Sequence, residues 1–338
     1  MSQSSAQKDQ ASQTVEGVLL DAVNLALHYE MASDDTVVVL GEDVATNGGV
    51  FRATVGLKDK FGFKRVMDTP LADALITGMA VGMASQGLKP VCEIQFMGFI
   101  FPAFEHLFCH AARLRNRTRG RMSCPMVLRA PYGGGIHAPE HHSESTEAIF
   151  AHVPGIRVVI PSSPARAYGL LLAAIRDPDP VVFLEPKRIY RAQSERVEND
   201  GVALPLDVCF TLRQGHDLTL ISWGAMLTET LAAAEQLSQQ GIEAEVIDLA
   251  CIKPIDKSTI LDSVEKTGRC VIVCEAAKSG SVAAEISAII AEEGLTSLMA
   301  PVIRVSGHDT VMPLFKLEQQ YMPSVDQVVI AANKVMEY

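Results

Sequence analysis

Three stretches of this chain set residues of catalytic type at spacings that chemistry can use. In DTPLADALITGMAVGM, residues 68–83, Asp73 is followed by Gly78 and Gly82. An acid at the mouth of a helix can hold or share a proton. Two glycines one turn apart leave room for another backbone, because neither carries a Cβ. In LGEDV, residues 40–44, Glu42 ends an apolar run, and the carboxyl ends of strands are where α/β proteins commonly bind ligands. The third stretch is YGGGIHAPEHHSES, residues 132–145, with His142 followed by Ser143 and Ser145. An imidazole that titrates near neutral pH suits proton transfer there, and a long polar loop more often carries function than core. Each residue has a plainer alternative. Asp73 can simply complement the helix dipole in a first turn, Glu42 can cap the turn after it, and Phe99, in the apolar run after EIQF, can be core.

Metal chemistry finds little support. His137, His141 and His142 share one loop, but adjacent loop histidines do not converge by spacing alone. His106 and His110 lie four apart on an expected helix without the glutamate of a zinc H-E-x-x-H pair. Neither a G-x-x-x-x-G-K-[ST] nor a G-x-G-x-x-G phosphate loop occurs. The seven cysteines are odd in number, lack a C-x-x-C pair and sit mostly in apolar runs such as RCVIVCE. They read as reduced core residues of a cytoplasmic protein.

The elements that must position these residues alternate. Apolar strands are expected at 36–43, 89–96, 125–131 and 180–187, with helices at 71–87, 102–117 and in ARAYGLLLAAIRD between them. This β-α alternation predicts a parallel sheet covered on both faces. The pattern lapses in the polar stretch 191–207, expected as a linker, and resumes as a smaller α/β set. The predicted fold class is therefore α/β, two domains, each a mostly parallel sheet flanked by helices. The divisions are a disordered tail at 1–15, a first domain at 16–190, the linker at 191–207 and a second domain at 208–338.

With 338 residues, 48% hydrophobic and 20% charged, the chain can bury a sizeable core. Its net charge of −11 argues against nucleic acid and against an anionic membrane surface as partners. No apolar run reaches the roughly 18–20 residues that span a bilayer, and a soluble chain is expected.

Taken in order, LGEDV, DTPLAD, GLKPVCEIQF, FIFPAFEH, the GGGI loop, HHSESTEAIF, PGIRVVIPSSP, DPVVFLEPKRIYR, AEVIDL, SVEKTGR and APVIRVSGHDT resemble the beta subunits of thiamine-diphosphate-dependent 2-oxo acid dehydrogenases. The resemblance covers nearly everything after residue 15. It implies a pyrimidine-binding domain followed by a transketolase C-terminal-like domain. It also implies that Asp73 meets the pyrimidine N1′ of thiamine diphosphate, favouring the tautomer that can take the thiazolium proton. Phe99 would lie against that ring, Gln95 and Phe96 would line the same region, and Glu42 would belong to the cofactor neighbourhood. His142 would act near the reacting carbon and receive a lipoyl arm.

Three departures stand out. The family usually has Glu where this chain has Asp73, and one methylene fewer sets the carboxylate about 1.5 Å back. Catalytic geometry is sensitive to shifts of about 1 Å. Leu75 stands where Gly is common. Glu144 replaces Gln beside His142 and is expected to favour the imidazolium form. The family also holds Mg2+ and the diphosphate with a G-D-G…N segment, and no G-D-G occurs here. The resemblance thus implies half a site. An alpha subunit would supply the rest, with its Mg2+, in an α2β2 heterotetramer that Gly78 and Gly82 help to pack. The second domain would help dock a lipoyl-bearing acyltransferase core. EIQF, FIFPAFEH and FLEPKRIYR lean toward a branched-chain 2-oxo acid as the small-molecule substrate. A pyruvate or acetoin dehydrogenase beta subunit is the alternative, and so is a catalytically silent scaffold subunit, on the strength of Asp73.

Overall fold

The computed structural model describes residues 13–338. The expected tail lies almost wholly outside the described residues; from Gln13 the chain is already a strand, Gln13–Gly17, paired antiparallel with Glu195–Asn199 inside the polar stretch 191–207.

The larger sheet has seven strands. From edge to edge they are Cys251–Lys253, Arg157–Val159, Val181–Pro186, Val127–Tyr132, Lys89–Glu93, Val37–Gly41 and Val66–Asp68. All neighbours are parallel except the antiparallel edge strand Cys251–Lys253, which comes from the later half of the chain. The central strands are apolar on both sides, because alternate residues enter different cores. Val37, Val39, Val91, Val127, Val181 and Phe183 face helices Leu19–Ser33 and Pro164–Arg176. Leu40, Cys92, Leu128, Val182 and Leu184 face helix Asp73–Ser85 and the segment that follows residue 97.

The smaller sheet orders Ile303–Gly307, Cys270–Ala277, Leu218–Ser222, Ala244–Asp248 and Phe210–Arg213, with only the last antiparallel. Both sheets are thus mostly parallel and flanked by helices, as the alternation predicted. One core runs through both. Ile221, Trp223, Ile247, Ile272 and Cys274 of the second half bury in the same cluster as Ile76, Leu128 and Phe150 of the first.

The helix expected over 102–117 is not one α-helix. The chain makes a 3-10 turn at Phe101–Ala103, a π-helical turn at Glu105–His110, a second 3-10 turn at Ala111–Arg113 and a short α turn at Leu114–Arg117. Pro102 is no obstacle in a first turn, where its missing N–H would be unpaired anyway; packing overrides the pattern further along. Leu107 and Ala111 are buried in the shared core, and Phe104 stacks on Phe108 with ring centroids 4.6 Å apart.

Candidate active site

The chain leaves strand Val37–Gly41 for its neighbour Val66–Asp68, then crosses back through helix Asp73–Ser85 to Lys89–Glu93 on the other side. Strand order therefore reverses about Val37–Gly41, and such a reversal opens a crevice at the carboxyl ends of the strands. Four adjacent strands end there. Each delivers a residue singled out in the sequence: Glu42 after Gly41, Asp73 after Asp68, Gln95 and Phe99 after Glu93, and His142 on the loop after Tyr132.

Glu42 and Asp73 form an acidic pair. Asp73 is the first residue of its helix, whose cap residue Ala72 offers no side-chain bond. Its carboxyl is part-buried and pushed above the ordinary value by burial, against a smaller pull from its own backbone amide. Glu42 is raised as well, first by burial, then by the negative charges of Asp43 and Asp73. Burial raises both acids and Asp73 further disfavours ionisation of Glu42, so this corner readily holds a proton. Asp68 fixes the loop beneath them, accepting from the Ala45 N–H at 2.7 Å and the Thr46 hydroxyl at 2.5 Å. One turn into the helix, the buried Thr77 hydroxyl has no hydrogen-bond partner.

The second group is aromatic. The His142 ring lies 4.1 Å from Phe96 and 5.4 Å from Phe99 between centroids, with His141 at 4.3 Å. Part-buried Gln95 precedes this cluster in the chain. The Nδ1 of His142 is buried without a partner. Burial, then the positive charges of His141 and Lys187, lower its pKa, so the ring is neutral at neutral pH. This corrects the expectation drawn from Glu144. That carboxyl is itself raised by burial, and the histidine that acts on it is His141, not His142. Among the described residues no hydrogen bond joins the acidic pair to the histidine cluster. No group of three or more His, Cys, Asp or Glu there could hold a metal ion, which leaves the loop histidines without a common ligand geometry.

The glycines part company. A Cβ on Gly78 would lie 3.3 Å from the His106 imidazole of the same chain, whereas one on Gly82 would meet nothing within 4 Å. Gly78 thus serves internal packing, and only Gly82 presents open space. Leu71, Leu75 and Phe101 are exposed around the start of this helix.

Sequence reasoning missed a buried charge network beneath the site. Arg129 donates to Glu185 at 2.6 and 3.0 Å and to Glu93 at 2.9 Å, and Tyr190 donates to Glu185 at 2.6 Å. The guanidinium is almost fully buried. Removing one partner of such a set costs roughly 3–5 kcal/mol, because it strands a buried charge. A signal was present: PVCE93, VLR129 and VFLE185 each end an apolar run on one charge, and the three strands are neighbours.

The comparisons bear on the fold and the family. Residues 19–193 match the transketolase pyrimidine binding domain and residues 209–328 the transketolase C-terminal domain. The solved structure of a split gene transketolase, an inactive beta4 tetramer, aligns with a TM-score of 0.79 at 23% identity. It covers 95% of this chain and 99% of that one, which speaks for the fold. The pyruvate dehydrogenase E1 component subunit beta of Acholeplasma laidlawii is 49% identical over 94% of this chain and 97% of its own length. Two Bacillus subtilis proteins are 46% identical: a pyruvate dehydrogenase E1 component subunit beta, over 95% of this chain and 98% of its own, and a 2-oxoisovalerate dehydrogenase subunit beta, over 94% and 98%. The fold is that of the transketolase-type proteins. Within them, the chain belongs to the family of beta subunits of 2-oxo acid dehydrogenases. The branched-chain lean read from the sequence is not distinguished by these relatives, and pyruvate dehydrogenase beta subunits resemble the chain at least as well.

Proposed function

We propose that this chain is the beta half of a thiamine-diphosphate-dependent 2-oxo acid dehydrogenase, completed by an alpha subunit in an α2β2 heterotetramer. The observation that carries this reading is the convergence of the Glu42–Asp73 pair and the Phe96–Phe99–His142 cluster at one strand reversal, in a chain of this family. The residues fit the aminopyrimidine half of the cofactor. They offer a part-buried carboxyl inclined to hold a proton, an aromatic wall and the unpartnered Thr77 hydroxyl. When bound, thiamine diphosphate supplies the carbon nucleophile and electron sink that cleavage of a 2-oxo acid requires.

The chain's own residues would do the rest. Asp73 would hold a hydrogen bond to the pyrimidine N1′, its proton affinity kept high by burial, with Glu42 nearby in the cofactor neighbourhood. Phe99 and Phe96 would exclude water and orient the ring. Neutral His142 can accept a proton at the group it faces and return it. Mg2+ would be held by the alpha subunit, since this chain has no G-D-G segment. Exposed Leu71, Leu75 and Phe101 around the start of helix Asp73–Ser85, with open Gly82 further along it, support an alpha-subunit contact on this helix. A lipoyl-bearing acyltransferase would receive the acyl group. Pyruvate is at least as well supported as a branched-chain 2-oxo acid, on the identities above. A second reading, a silent scaffold subunit, is favoured by one residue, the shortened acid Asp73.

The test is reconstitution with the alpha subunit, thiamine diphosphate and Mg2+, assayed on a panel of 2-oxo acids with an artificial electron acceptor. Turnover that Asp73→Ala cuts by about 100-fold or more, the lower range for a lost proton-transfer group, is the expected result, and the panel names the substrate. A well-formed complex that binds cofactor and turns nothing over would favour the scaffold.

A further inference from the structure

The loop that carries His142 is held from outside. Its ends meet where the Gly133 N–H donates to the Glu144 carbonyl at 2.9 Å. Along it the backbone enters the left-handed region at Gly133, Gly135 and His137, the last without the freedom of a glycine. Such a path is kept only when the surroundings over-determine it. Side chains of the C-terminal domain press on it. A Cβ on Gly133 would collide with the Glu275 carboxylate, and one on Gly134 with the Met312 methyl. Neither oxygen of Glu275 completes a hydrogen bond to the loop, although the Gly134 N–H and the Ser145 hydroxyl lie near enough to favour its ionised form.

Glu318 does. Its carboxylate, 2% exposed, accepts from the Gly135 N–H at 3.0 Å and from the His137 N–H at 3.2 Å to each oxygen, and it lies 3.4 Å from the His137 Nε2. Backbone N–H groups converging on one carboxylate form an anion nest, here built by one domain and filled by the other. Packing does not replace it. On its other side the loop borders a cavity of about 440 Å³ lined by Ser143, Ser145, Asp309 and Tyr321.

We propose that Glu318 is a positioning residue: through the Gly135 and His137 amides it fixes the loop that sets His142 against Phe96 and Phe99. Its importance to turnover rests on the function proposed above, but the clamp itself does not. Glu318→Gln keeps an amide oxygen where Oε1 accepts both N–H groups, whereas Glu318→Ala keeps no acceptor. The full-length chain and both variants would be compared by amide hydrogen exchange over 133–146, by NMR titration of the His142 ring, and by turnover in the reconstituted enzyme.

For Glu318→Ala, exchange in the loop should rise about tenfold or more, as expected on losing hydrogen bonds to a charged acceptor. The His142 midpoint should move up toward the ordinary histidine value as burial is relieved, and kcat should fall while overall folding persists. Glu318→Gln should restore all three. Unchanged exchange in Glu318→Ala, or equal damage in both variants, overturns the clamp. Faster exchange with an unmoved His142 midpoint overturns the positioning of His142. If the wild-type complex lacks turnover, the function proposal fails while exchange and titration still decide this one.

Discussion

At the scale of single residues, burial sets proton affinity at several points in this molecule, and Glu147 is the clearest. It is fully buried, its Oε1 accepts from the Trp223 indole N–H at 3.2 Å, and its other oxygen has no partner. Burial pushes its carboxyl up to about 7, from an ordinary 4.5. A group whose folded value is raised contributes stability that is complete below the unfolded value and lost as pH rises through the folded one. Glu147 therefore costs nothing below about pH 4.5 and progressively more up to about pH 7. Glu147→Gln, which keeps an acceptor for Trp223, should match wild type at pH 4.5 and be more stable at pH 8. The gap should be on the order of 3 kcal/mol at most, from the size of the shift. Buried Lys187, drawn down to about 7 by burial, has the opposite sign, but it is common to both proteins and cancels in the comparison. Urea midpoints at the two pH values decide it: a gap that does not change with pH would remove Glu147 as the cause.

Helices and strands were the most legible level of this sequence, and the reason is periodicity. Two-sided apolar strands and the long helices Asp73–Ser85, Pro164–Arg176 and Val325–Met336 follow directly from their patterns. The segment 101–117 does not, because the local pattern permits an α-helix and only the packing of Leu107, Ala111 and the phenylalanines selects turns of three kinds. The strands that lead to Glu42, Phe99 and His142 were legible as apolar runs, whereas the short strand Val66–Asp68 ahead of Asp73 was not. The charge state of His142 was not, since it depends on its burial and on Lys187, which no spacing places beside it.

Helix Asp73–Ser85 shows the same limit. Gly78 and Gly82 look equivalent in sequence, yet His106 fills the space over the first and nothing fills it over the second. Gly82→Ala should therefore raise the stability of the isolated chain by about 0.5–1 kcal/mol, the usual gain of Ala over Gly within a helix. If a subunit packs against that face, the same methyl should weaken assembly. Thermal unfolding of the chain alone and titration with the alpha subunit separate the two effects. Unaltered assembly would move the contact away from Gly82.

For the whole molecule, the question is whether two sheets make two folding units. The polar stretch between them was expected as a linker, but the core does not stop there. Trp223, on the chain just after strand Leu218–Ser222, is buried in the cluster that contains Leu128 of the first sheet and Phe150 of a helix beside it. It reaches across to Glu147, the first residue of helix Glu147–His152. Arg188, beyond the first sheet, donates to the Ala225 carbonyl at 2.8 Å and to Glu229 at 2.7 Å. Strand Cys251–Lys253 leaves the second unit to become an edge of the first sheet. Opening the two halves would expose that apolar cluster and strand these polar groups, so separate unfolding has no cheap route. Trp223 is the only tryptophan of the chain, and it reports on this boundary alone, whereas far-ultraviolet circular dichroism reports on both sheets. The two signals should fall together at one denaturant midpoint. Fluorescence lost well before the dichroism would mean that the halves part first, and the C-terminal clamp on the His142 loop would then open ahead of global unfolding.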